Sequence, residues 1–220
     1  MTPIVKICGL STPETLDAAI AAGADMIGLV FFSKSPRHLT VDRGATLARQ
    51  VAGRAEIVAL TVDMDDAGLD ALVAAVRPDW LQLHGAESVD RVAAIRATFG
   101  CQVMKAVPIG APADLAGADR YMKVADAILL DAKPPKGATR PGGLGATFDW
   151  SIVRGFDPDV PWLLSGGLRP GNVAEALRTT GASGVDVSSG VETAPGVKSP
   201  DLIRAFVANA RNFAREAVPS

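Results

Sequence analysis

The chain is poor in cysteine, histidine, aromatic residues and long apolar runs, and each shortage excludes something. Two cysteines, Cys8 and Cys101, cannot build a disulfide framework or a four-cysteine zinc site. Two histidines, His38 and His84, lie far apart in sequence, so no metal site and no metal cofactor is expected. Apolar runs are short: Ile27 to Phe32 falls well below the roughly 20 residues that cross a bilayer. Neither sign of charge dominates, since 22 basic against 24 acidic residues leave a net charge of −2. That is too little for an electrostatic nucleic-acid binder or a membrane-surface protein. The stretch before Lys6 lacks the basic-then-apolar form of a signal peptide. The expectation is a soluble cytoplasmic protein with no nucleic-acid or membrane partner. With 48% apolar residues in 220, a sizeable core is available, and one domain over residues 1–220 is expected.

What is present is a beat. Short apolar runs rich in β-formers recur at Ile4–Cys8, Met26–Phe32, Ile57–Val62, Trp80–His84, Val103–Val107, Ala127–Asp131, Trp162–Ser165 and Val185–Ser188. Each interval has room for one helix and two loops. Helices are expected at Pro13–Ala22, after Ser11 with Glu14 as its capping-box partner, and at Val41–Val51, Asp66–Val76 and Ser88–Phe99. Further ones are expected at Ala113–Val124, Asn172–Thr180 and Ser199–Glu216, with only a short segment at Phe148–Arg154. Eight strand-then-helix units whose strands are apolar throughout predict a fully covered parallel sheet closed as a (β/α)₈ barrel, a TIM barrel of the α/β class. A doubly wound open sheet is the alternative, and it usually has fewer strands at this length.

In such a barrel chemistry gathers where strands run into the loops that follow. Ser165-Gly166-Gly167-Leu168 and Ser188-Ser189-Gly190-Val191 put small residues directly after strands 7 and 8. There, backbone N–H groups can approach a phosphate closely. Tight turns without a ligand are the bland alternative. Cys8 closes strand 1 at the chemical end, beside Gly9, and is a small buried hydrophobe or, if its surroundings favour thiolate, a base or nucleophile. Cys101 opens strand 5 at the opposite end and is expected to be structural. Asp131 ends strand 6 as a hydrogen-bonding loop residue or an acid–base group. The glycine-rich loop Ala132–Thr147 that follows it can close over a ligand. Arg37, after strand 2, is a solvated charge or an anion clamp. His84 ends strand 4, capped or in the site. Lys6 and Asp186 share inward faces of neighbouring strands and are expected to pair beneath the site, unless Asp186 turns toward substrate. Lys105 is the candidate if the chain were a Schiff-base aldolase.

Several of these pieces together resemble the phosphoribosylanthranilate isomerases of tryptophan biosynthesis. The matching residues are Lys6-Ile7-Cys8-Gly9-Leu10, Gly28-Leu29-Val30-Phe31 with Ser33 to Arg37, Leu81-Gln82-Leu83-His84-Gly85, Leu129-Leu130-Asp131, Gly142 to Trp150, Leu164 to Leu168 with Asn172, and Gly184 to Glu192. They run in order and at family-like spacing. The ending Pro195-Gly196-Val197-Lys198-Ser199-Pro200-Asp201 departs slightly from the usual shorter form. The resemblance implies a cofactor-free Amadori rearrangement of a small phosphosugar by a monomer or homodimer. It makes Cys8 the general base and Asp131 the general acid. Substrate would be bound by Arg37, His84, Gly166, Gly167, Asp186, Ser189 and Gly190, with Arg37 facing the anthranilate carboxylate. The related histidine-pathway isomerases carry an aspartate where Cys8 stands.

Overall fold

The computed structural model of the chain describes residues 2–135 and 137–216. Lys136, in the loop expected to close over the site, lies outside them, as does Met1. The strands are β1 (Ile4–Cys8), β2 (Met26–Val30), β3 (Glu56–Thr61), β4 (Trp80–Leu83), β5 (Gln102–Ile109), β6 (Ala127–Ala132), β7 (Trp162–Leu164) and β8 (Gly184–Val187). They form a closed parallel barrel in sequence order, in which β8 pairs with β1 in the register Lys6↔Asp186. The outer helices are α1 (Pro13–Ala22), α2 (Val41–Val51), α3 (Asp66–Val76), α4 (Val89–Phe99), α5 (Leu115–Asp119), α6 (Val173–Thr180) and α7 (Pro200–Glu216). A short 3₁₀ turn, Trp150–Val153, stands between β6 and β7. After β8 a hairpin of β9 (Glu192–Ala194) and β10 (Val197–Lys198) precedes α7.

The strands are apolar on both faces because each face is buried. Outward residues such as Ile7, Ile27, Leu29, Leu81 and Val185 pack under the helices. Inward residues Met26, Val58, Trp80, Met104, Leu129 and Leu163 fill the lower barrel. Cys8, Val30 and Leu60 form a small apolar layer above them, at the carboxyl ends of the strands. The barrel is thus a packed core rather than a pore.

The differences from expectation are local. The N-cap of α1 is Thr12, not Ser11: its side chain accepts from the Thr15 N–H at 3.3 Å. Pro13 takes the first helical position, which makes the preceding residue the cap. Glu14 therefore sits one residue too early for a capping box. The expected helix Ala113–Val124 shrinks to a 3₁₀ turn at Pro112–Asp114 and the five residues of α5. Gly117 disfavours helix there. Asp114 turns back to accept from Gly110 and Ala111, and the Tyr121 hydroxyl is drawn to the Glu87 carbonyl at 2.9 Å. Strands β2, β3, β4, β7 and β8 stop one or two residues short of their expected ends, yet the His84 and Ser165 N–H groups still donate to the neighbouring strands.

Candidate active site

Strand alternation sends Lys6 and Cys8 into the barrel from β1, and Asp186 from β8 beside them. Lys6 Nζ donates to Asp186 Oδ1 at 2.8 Å, with both side chains buried. The expected pair therefore forms, and Ser165 Oγ donates to the other Asp186 oxygen at 3.4 Å. Burial alone would pull the Lys6 ammonium down, but the charges of Asp186 and Cys8 outweigh it and hold it above its ordinary value.

Above Lys6, burial pushes the Cys8 thiol up from its ordinary value, and Asp186 adds to the rise against the opposing charges of Lys6 and Lys198. These surroundings favour the thiol over the thiolate. The room for the sulfur comes from Gly28 on β2, where a Cβ would lie 2.9 Å from Cys8 Sγ. Gly9 instead packs against the stem of Arg37.

Arg37 is not a solvated charge. It is 4% exposed and lays its guanidinium fork on Glu192, with Nε to Oε1 at 2.6 Å and Nη2 to Oε2 at 2.8 Å. Lys198 of β10 donates to the same carboxylate at 2.7 Å, and to the Ser188 carbonyl and hydroxyl at 2.9 and 3.2 Å. The Gly196 N–H donates to it as well. Burial works against a charged Glu192, but its hydrogen bond from Arg37 and the charge of Lys198 prevail and keep its carboxyl low. For Lys198 the balance falls the other way: burial outweighs the attraction of Glu192 and brings it down to about 8. Two cations share one carboxylate here, which leaves the network one positive charge in surplus.

The loop after β7 bends through two successive left-handed residues, Gly166 at φ 90° and Gly167 at φ 62°. A Cβ at Gly166 would lie 2.6 Å from that of Ala132, so only glycine fits. Asn172 pins the loop by donating to the Gly167 carbonyl at 3.1 Å. Across from it, Ser189–Val191 forms a 3₁₀ turn. On the far side, Asp131 leaves β6 with Oδ1 accepting from the Ala132 N–H and Oδ2 3.2 Å from His84 Nε2.

All the residues expected from sequence to form the site (Cys8, Arg37, His84, Asp131, Gly166, Gly167, Asp186, Ser189 and Gly190) line one cavity of about 770 Å³ including its mouth. The loop residues Arg140 to Ala146 roof it. Lys105 does not belong there. It faces the helix layer from β5, pairs with Glu87 at 2.8 Å and donates to the Leu83 and Gly85 carbonyls. Cys101 lies just before β5, half-buried and at the opposite end of the barrel. Sequence reasoning missed Glu192, Lys198 and Glu87 as organising charges. Glu192 was visible within the motif after β8, but an acid in a polar hairpin looks like any surface residue until Arg37 is folded against it.

The family model described as N-(5′-phosphoribosyl)anthranilate (PRA) isomerase matches residues 5–209. The chain is 61% identical to the N-(5′-phosphoribosyl)anthranilate isomerase of Rhodopseudomonas palustris strain BisA53, over 97% of this chain and 98% of that protein. It is 59% identical to the protein of the same name from Bradyrhizobium diazoefficiens, over 96% and 95% of the two. Among solved structures, phosphoribosyl anthranilate isomerase from Thermotoga maritima superposes with a TM-score of 0.86 at 33% identity, covering 96% of this chain and 99% of the other. A further phosphoribosyl anthranilate isomerase, in complex with reduced 1-(o-carboxyphenylamino)-1-deoxyribulose 5-phosphate, superposes at 0.84 with 31% identity over 96% and 99%. With the barrel, the Cys8–Asp131 mouth and the paired glycine loops, these likenesses agree: the chain belongs to the phosphoribosylanthranilate isomerase family.

Proposed function

We propose that the chain, as one barrel domain, isomerises N-(5′-phosphoribosyl)anthranilate to 1-(2-carboxyphenylamino)-1-deoxyribulose 5-phosphate in tryptophan biosynthesis, with Asp131 as general acid and Cys8 as general base. The observation that carries this reading is that both side chains line one cavity, from β6 and β1, between the glycine loops and the roofing loop. Asp131 protonates the ribose ring oxygen and the ring opens to an iminium ion. Cys8 then removes the C2′ proton, and the enolamine tautomerises to the ketone. The order suits the electrostatics. Burial favours the Cys8 thiol before the sugar ring opens, whereas the iminium adds a positive charge that favours thiolate when a base is needed.

The sugar phosphate sits against the backbone of Gly166, Gly167, Ser189 and Gly190. The surplus cation of the Arg37–Glu192–Lys198 network favours a dianion nearby. Arg37 has committed one edge to Glu192, so the anthranilate carboxylate meets its Nη1 side, which packs on Gly143. His84 and Asp186 complete the wall. The reaction is an internal redox exchange between C1′ and C2′, so the chemistry calls for no cofactor or metal.

Purified protein, given the phosphoribosyl substrate in chelator-treated, nucleotide-free buffer, is expected to consume its anthranilate-type fluorescence. It should yield a product of unchanged mass that carries a ketone. Absence of turnover by folded protein would overturn the reading.

A further inference from the structure

Gln82 points into the barrel from β4 and is fully buried. Its partner across the ladder is Leu60, which packs with Cys8 under the site. An amide is a costly choice at such a position unless both its ends are bonded. Only one is. Gln82 Nε2 lies 3.0 Å from His84 Nδ1, while Oε1 has no hydrogen-bond partner among the described residues. His84 in turn places Nε2 3.2 Å from Asp131 Oδ2. Gly142 of the roofing loop closes directly on this junction: a Cβ there would lie 2.7 Å from Asp131 Oδ2 and 2.9 Å from His84 Nε2. The three side chains run in series from the barrel core to the acid.

A neutral imidazole carries one N–H, so its two nitrogens have opposite roles. When Asp131 is a carboxylate it calls for Nε2–H; Nδ1 is then an acceptor and Gln82 must present its NH₂. When Asp131 carries a proton on Oδ2 it donates to Nε2; Nδ1 then bears the hydrogen and Gln82 must present its oxygen. A half-turn of the amide exchanges the two arrangements. Because the other end of the amide is bonded to nothing among the described residues, the half-turn breaks no other hydrogen bond. Methionine at this position would serve neither arrangement, and glutamate only the second.

We infer that Gln82 is a positioning residue whose amide turns over to match either tautomer of His84, so that His84 steadies Asp131 both before and after it gives up its proton. This rests on the reading of Asp131 as the acid. In the step concerned, the proton leaves Asp131 Oδ2 for the ring oxygen. The C1′–O bond breaks with its electron pair going to that oxygen, and the anthranilate nitrogen lone pair forms the C=N bond. Asp131 is left as a carboxylate facing a bare Nε2. His84 then takes a proton from water on Nε2 and returns its Nδ1 proton to water, so that the ring stays neutral, and the Gln82 amide turns. Reprotonation of Asp131 reverses the sequence.

The test is the ¹⁵N spectrum of the His84 imidazole, read beside kcat and KM. His38 is the sole other histidine, and a His38→Asn variant separates the signals. The wild type is expected to show both His84 tautomers in exchange, and Gln82→Glu the Nδ1–H form alone. Gln82→Met and Gln82→Glu should each lose ~10- to 100-fold in kcat, the usual size for a group that orients a functional side chain, with KM changed little. A single wild-type tautomer, whichever ring nitrogen holds the hydrogen, overturns the inference, as does an unchanged kcat in Gln82→Met. Should Gln82→Met not fold, the wild-type and Gln82→Glu spectra decide. Full activity in Asp131→Asn would instead remove the acid assignment and leave the tautomer result standing.

Discussion

Cys8 illustrates how one residue changes meaning with its surroundings. As a letter in the sequence it was a small hydrophobe or a base; as a group in the barrel it is a buried thiol pushed up by desolvation and held in check by Lys6. The thiolate fraction grows with pH, so the acidic limb of the turnover profile should report Cys8. Removing the Lys6 charge takes away the first opposing influence and leaves Asp186, which raises the thiol further. Lys6→Met should therefore move that limb to higher pH, and an unmoved limb would detach Cys8 from it. The same substitution strands a buried carboxylate with only Ser165 beside it. Denaturant unfolding should show a loss of ~3–5 kcal/mol, as is usual when one partner of a buried pair is removed. The pair itself was legible, because strand alternation and barrel closure leave Lys6 and Asp186 no other place. That Gly28 rather than Gly9 makes room for the sulfur was not legible, since it depends on the β1–β2 register.

At the scale of elements, the two glycine loops announced themselves, because small residues straight after a strand have few uses other than a tight bend or a close ligand. Gly167→Asp should weaken substrate binding strongly: it puts a like charge where the phosphate is expected and a side chain at φ 62°. Phosphate competing against wild type and an unchanged KM in the folded mutant are the two outcomes to compare, the first supporting the cradle and the second excluding it. The β9–β10 hairpin was not legible as part of the site. Its Lys198 enters through a contact with Arg37's partner, 155 residues from Arg37 itself, and no local pattern marks such a meeting. Lys198 also gives the hairpin a pH signature. In the folded chain it loses its proton near pH 8, whereas in the unfolded chain it keeps it to about 10.5. Between those values the unfolded state binds more protons, so wild type should gain stability relative to Lys198→Met as pH rises, by at most ~1.4 kcal/mol per unit. Urea unfolding on either side of pH 8 measures it, and a falling difference would contradict the burial of a charged lysine.

For the whole molecule, the barrel was readable because eight apolar strands, each followed by space for a helix, leave little choice of architecture. Around α5 the boundaries slipped because side chains beyond the local pattern intervene, as Tyr121 and Asp114 do. The site was readable to the extent that the fold assigns chemistry to one mouth, so residues distant in sequence could be expected to converge there. What remained hidden were the buried ion pairs Arg37–Glu192 and Lys105–Glu87, whose members look like surface charges until the loops meet. The acid–base division of labour is tested most directly by turnover of the phosphoribosyl substrate by Cys8→Ser and Asp131→Asn beside the wild type, with Cys101→Ser as control. Both site variants should fold and bind a reduced product analogue while losing at least ~10²-fold in rate, and the control should keep its rate. Near-wild-type turnover in Cys8→Ser or Asp131→Asn would contradict the assignment of base or acid respectively.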